Sequence, residues 1–132
     1  MQSADVEEWF AAYLETYAAA GRGELDDLAA LLEYYAIPLL VTADAGAIVL
    51  GDAEGVVAAV AAQVEGMRET GFHRSDVVTS DVEVLNESTA LYRGSFARKR
   101  QDGSEIERLQ TTYLIVDGEQ GRRIAALVVT TS

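Results

Sequence analysis

Residues 90–116, ALYRGSFARKRQDGSEIERLQTTYLIV, decide the fold. Asp102–Gly103 separates two runs in which apolar and polar residues alternate. Asp-Gly favours a tight hairpin because the turn needs positive φ, and alternation with period two marks a strand with one buried face. A two-residue loop pairs Gln101 with Ser104, and every other partner follows by counting back. One face then carries Arg100–Glu105, Arg98–Glu107, Phe96–Leu109, Gly94–Thr111, Tyr92–Tyr113 and Ala90–Ile115. The other carries Lys99–Ile106, Ala97–Arg108, Ser95–Gln110, Arg93–Thr112 and Leu91–Leu114. The first set is the core face: aromatics oppose aromatics, and opposite charges meet near the turn.

Working outward, the same strand pattern extends on both sides. Val78, Val82 and Val84 read as a strand from Arg74 onward, which turns at Asn86–Glu87–Ser88 into Ala90–Arg100. After Ile106–Val116 comes a turn through Asp117–Gly121 and a last strand over Arg123–Thr130. Ahead of this meander the period is helical. Val6, Trp9, Phe10, Tyr13, Leu14, Tyr17 and Ala18 form one stripe of a helix over residues 4–20, with Ser3 as N-cap and Gly21 and Gly23 at its end. A second helix is expected over about 24–35, with Leu25, Leu28, Leu32 and Tyr35 on one face. Pro38 turns the chain extended. A short hairpin over 37–50 follows, turning at Ala43–Gly46. Asp52 caps a third helix to about Glu69, with Val56, Val60, Val64 and Met67 inward and Gly71 at its end. The expected fold class is α+β: three N-terminal helices packed in a strongly curved antiparallel sheet.

Composition narrows the function classes. The 132 residues fit one domain spanning 1–132, with 49% apolar residues. There are 22 acidic against 10 basic residues, and a formal charge of −12 repels phosphate backbones and anionic lipid. This argues against nucleic-acid and membrane partners. No apolar run is long enough to span a bilayer, and because a charged helix follows Met1–Gln2–Ser3 directly, no secretory signal is expected in the chain as given. The absence of cysteine excludes disulfides, iron–sulfur clusters, thiolate zinc and a cysteine nucleophile. A reducing cytoplasm is the natural compartment. With one histidine, metal sites look poor and no cofactor is expected; Glu24, Asp26 and Asp27 read as a solvated helix start.

The order helix, helix, short hairpin, helix, long meander resembles the nuclear-transport-factor-2-like superfamily, also described as a polyketide-cyclase-like or cystatin-like cone. The stretches that carry the resemblance are GELDDLAALL, YYAIPLLVTADAG, GDAEGV, VEVLNESTALYRGSFARKRQDGSE, TTYLIV and GRRIAALVV. The resemblance implies an apolar cavity between helix 1 and a curved sheet, and a homodimer across the outer sheet face. It spans isomerases, dehydratases, epoxide hydrolases and cyclases as well as members with no known reaction, so the fold leaves chemistry open. Isomerase members place an aspartate base where this chain has Leu39 and Leu40. Dehydratase members use paired histidines, where this chain has only His73. Common relatives have a tryptophan near the start of the last strand, where Arg122 stands here.

Tyrosines are the candidate site. Tyr13 and Tyr17 lie one turn apart on the helix 1 stripe, Tyr35 ends the apolar face of helix 2, and Tyr92 and Tyr113 face each other on the core face. Thr111, beside Tyr113 on that face, joins them. Such rings give apolar area plus one hydroxyl each, which suits a pocket orienting a small, mainly apolar ligand; core packing with hydroxyls at the rim explains them equally. Tyr13 falls near the tyrosine that donates to an enolate in isomerase members. His73 is a general base or a loop histidine, and Asp44 a base at the cavity mouth or a turn residue. Two functions stand: a small-molecule-binding protein without catalysis, or an isomerase-, dehydratase- or cyclase-type enzyme using Tyr13, Asp44 or His73.

Overall fold

The structure, a computed structural model, describes residues 1–131. In chain order it contains α1 (Ser3–Gly21), a 3-10 segment (Leu28–Glu33), β1 (Tyr35–Ala43), β2 (Gly46–Leu50) and α2 (Ala53–Glu69). Four long strands follow: β3 (Phe72–Asn86), β4 (Thr89–Arg100), β5 (Glu105–Gly118) and β6 (Gly121–Thr131). The strands form one sheet in the order β2-β1-β6-β5-β4-β3. All neighbours are antiparallel except β1 and β6, which run parallel. The outer strands β2 and β3 do not pair, so the sheet is unclosed. Register shifts in β3, between Val77 and Thr79 among other places, mark bulges that bend a strand and help curl the sheet.

The helix stripes meet the concave face as their spacing predicts. Val6, Phe10 and Tyr13 of α1 and Val56, Val60 and Val64 of α2 are buried with Ala90, Tyr92, Phe96, Tyr113 and Ile115 of the sheet. Asp52 caps α2, its carboxylate accepting the Gly55 N–H at 2.7 Å. A smaller cluster joins Ala18, Met67 and Phe72 where the ends of both helices reach the start of β3.

The central register holds from Ala90–Ile115 to Arg98–Glu107, but the turn differs from expectation. The Arg100 N–H donates to the Ser104 carbonyl at 2.9 Å, closing a three-residue loop in which Gly103 has φ +88°. Lys99 therefore faces Glu105, and a shift between Arg98 and Lys99 restores the anticipated pairing beyond. The expected Arg100–Glu105 pair does not form; Arg100 donates to the Thr70 carbonyl instead.

Three further expectations are corrected. Ser3 is the first helical residue rather than the cap, a position held by Gln2 without a side-chain bond. The second helix is only the 3-10 segment, capped by Asp27, and Tyr35 opens β1. With three residues per turn, Leu28 and Leu31 share a face, so Leu31 is fully buried where the α-helical count had selected Leu32. The last hairpin is tighter than anticipated: Gly118 pairs with Gly121, and Asp117 pairs with Arg122 across the strands.

Candidate functional site

A cavity of about 420 Å³ lies between the helices and the concave sheet. Each wall comes from a different element. Tyr13 and Tyr17 project from α1 because they share its inward stripe, and Tyr35 enters as the first residue of β1. Thr111 and Tyr113, alternate residues of β5, form the floor, with Thr111 opposite Gly94. Apolar walls come from Val56 and Val60 of α2 and from Leu39, Leu127 and Phe96 of the sheet. Five of the six anticipated ligand contacts therefore line one space. Tyr92 does not: its ring stacks on Phe10 with centroids 3.7 Å apart, filling the core beside the cavity.

The tyrosines are coupled. The hydroxyls of Tyr13 and Tyr35 are 2.6 Å apart and buried. Tyr13 meets Tyr35 and Tyr113 edge-on. Burial raises the ionisation of Tyr13 and Tyr35 well above the ordinary tyrosine value; the charges of neighbouring tyrosines push the same way, while the hydrogen bond from Tyr13 acts against the rise at Tyr35. Tyr113 and Tyr17 are also raised by burial, with the positive charge of Arg98 acting against it at both. These phenols stay neutral donors throughout the physiological range.

At one end the lining becomes polar. Arg98 of β4 and Glu107 of β5 both border the cavity and are joined from Nη1 to Oε1 at 2.8 Å. Gln63 of α2 and Ser75 of β3 complete this end. A second hollow of about 240 Å³, between α2 and the sheet, shares Gln63, Arg98 and Glu107 with the first. The sequence places Arg98 and Glu107 on the core face only as an ion pair. A charged residue at an inward position two residues beyond Phe96 was the available signal that the core opens there.

Asp44 and His73 lie elsewhere. Asp44 is exposed in the β1–β2 turn, one residue past Ala43 at the cavity rim. His73 is half-buried as the second residue of β3, and its carbonyl accepts from Arg22 at 3.1 Å. Neither lines the cavity. Among the described residues no group of three histidine, aspartate or glutamate side chains is placed to hold a metal ion. No described helix is long and apolar enough to cross a membrane.

Residues 3–132 match the family described as NTF2-like protein (DUF6841). The chain belongs to that NTF2-like family. Solved structures agree on the fold. An NTF-2-like protein of unknown function from Shewanella oneidensis is 16% identical at a TM-score of 0.72, covering 98% of this chain and 99% of that one. A domain of unknown function with a cystatin-like fold from Nostoc punctiforme is 18% identical at 0.71, covering 100% and 80%. An NTF2-like protein from Cytophaga hutchinsonii is 12% identical at 0.68, covering 100% of both chains. No curated protein matches. At these identities the likeness fixes the NTF2-like fold and leaves the use of the cavity to its own residues.

Proposed function

We propose that this protein is a single NTF2-like domain that binds a small, mainly apolar molecule carrying an oxygen acceptor. The observation that supports this most is the cavity of about 420 Å³, in the size range of small-molecule sites, with four tyrosines around one space. The rings exclude water, and a hydroxyl in such a site orients an acceptor more strongly than it could in solvent. Calorimetric titration with the neutral ketone 4-phenylbutan-2-one tests the reading. The wild type should bind one equivalent, and Tyr113→Phe, which keeps shape and removes a hydroxyl, should weaken binding by about 0.5–1.5 kcal/mol. No binding by the wild type would defeat it.

The Tyr13–Tyr35 hydrogen bond favours a second reading, an isomerase-, dehydratase- or cyclase-type enzyme. A donor pair in a dry site can stabilise charge developing on a substrate oxygen. Glu107, the one carboxylate among the described lining residues, would then move the proton in place of Asp44 or His73. Its carboxylate is already engaged by Arg98 at 2.8 Å, which favours binding over catalysis. For an enzyme, Tyr13→Phe would reduce turnover far more than binding.

The assembly follows the resemblance: a homodimer across the convex sheet face. Leu40, Val49 and Val128 are exposed there, and register places Leu91 and Leu114 on the same side. A mixed apolar and polar face of this kind suits a self-complementary contact about a two-fold axis. Sedimentation should give a dimer at micromolar concentration, and a monomer would contradict it.

A further inference from the structure

Arg98 is only 15% exposed although it carries a full charge, and it stands where the apolar cavity ends. Among the described residues its hydrogen-bond partner is Glu107 alone, through one bond from Nη1. A guanidinium has five N–H donors, so most of its capacity is unused. Those donors are not sealed off, since among the described residues the side-chain nitrogen or oxygen that is sealed without a partner is Nε of Arg123, and Arg98 itself lines the cavity. The charge of Arg98 reaches Tyr17 and Tyr113, while Gln63 and Ser75 border the same end. This end is therefore rich in donors. Its single carboxylate, Glu107, is 51% exposed and has water to return to.

We propose that the cavity selects an amphipathic monocarboxylate, whose apolar body lies among the tyrosine rings and whose carboxylate binds Arg98 in exchange for Glu107. The proposal deepens the ligand-binding reading and rests on it. Exchange is favourable because a half-exposed ion pair with one hydrogen bond is weak, whereas a ligand carboxylate reaching the unused edge of the guanidinium can bind it through two. The protein's overall charge of −12 repels anions at long range, so a carboxylate is held here by local charge: that of Arg98, and that of Arg108, which also lines the cavity and bonds Glu105 at 2.8 Å. Glu107 would act as an internal stand-in, keeping Arg98 paired while the cavity is empty.

Calorimetric titrations of the full chain with 4-phenylbutyrate, 4-phenylbutanamide and 4-phenylbutylamine separate the possibilities. The three probes share one apolar body and differ in the head. The carboxylate should bind roughly tenfold tighter than the amide, as expected for a charge-assisted pair over a neutral one. Arg98→Met should remove most of that preference by weakening the carboxylate far more than the amide, and Glu107→Gln should strengthen carboxylate binding because the competing anion is gone. If Arg98→Met does not fold, Glu107→Gln and Arg98→Lys carry the test; Lys keeps the charge without the planar fork and should retain only part of the preference. Equal binding of carboxylate and amide overturns the proposal while leaving the binding reading intact. So does tighter binding of the amine, which would assign the end to Glu107 and a cation. If none of the probes binds, the ligand-binding reading fails and the proposal with it.

Discussion

The hydroxyls of Tyr13 and Tyr35, one from α1 and one from the first residue of β1, meet at 2.6 Å beside the cavity. Each is almost fully buried as a residue, so each depends on the other for a partner. The pair ties the N-terminal helix to the sheet at the point where the cavity begins.

Removing either hydroxyl should destabilise folding by about 1–3 kcal/mol, because the remaining one is left buried without its partner. Removing both should cost less than the sum of the single changes. Urea unfolding of Tyr13→Phe, Tyr35→Phe and the double variant completes the cycle. Additive losses would show that the two hydroxyls do not interact.

Gly94 is held to glycine by space rather than by backbone angle. A Cβ there would overlap the Phe96 ring and come within 3.0 Å of Tyr92. Gly94→Ala should therefore cost about 1–3 kcal/mol through overpacking, and should move Phe96 in the cavity wall. Equilibrium unfolding together with the near-ultraviolet circular dichroism of the aromatics checks both effects. Unchanged stability would mean that the ring moves aside freely.

The protein should lose stability in alkali. Burial raises the ionisation of Tyr13, Tyr35, Tyr113, Tyr17 and Tyr92 in the folded state. A raised value means that the folded state keeps a proton the unfolded chain releases. The contribution is thus fully present below the unfolded value, about 10, and is lost as pH rises toward the folded values. Each such tyrosine steepens the decline by about 1.4 kcal/mol per pH unit over that window. Tyrosinate absorbance from the buried rings should appear together with loss of far-ultraviolet circular dichroism. Their titration near pH 10 with native dichroism intact would contradict the burial.

Much of the fold was legible because strand period and helix period are separately written. The β4–β5 register came out right from Ala90 to Arg98 for a partly fortuitous reason. The loop holds three residues instead of two, and the irregularity at Ile106 returns the missing step. The second helix misled because its leucines fit a period of 3.6 and of 3.0 almost equally over six residues. Tertiary packing of Leu31 decides between them. Gly21 ends α1 as its spacing predicts, but the reason it must be glycine lies 46 or more residues away in sequence: a Cβ there would overlap Phe72 and Met67. The tyrosines of the cavity were visible as inward positions on separate elements. Its charged end was signalled only by Arg98 standing at an inward position, since the α2 residue Gln63 that borders the same space is distant in sequence. Asp44 and His73 drew notice by residue type alone, and the curl of the sheet leaves both outside the lining.

The central claim is that an apolar molecule occupies the tyrosine-lined space. Nuclear Overhauser contacts between 4-phenylbutan-2-one and the assigned aromatic protons of the full chain test it most directly. At saturating ketone, contacts should join the ligand to Tyr13, Tyr17, Tyr35 and Tyr113 and to the methyl groups of Val60 and Leu127, all of which line the cavity. Tyr92 should stay silent, because Phe10 covers it. Contacts confined to Leu40, Val49 and Val128 on the convex face, or no contacts at all, would contradict the account.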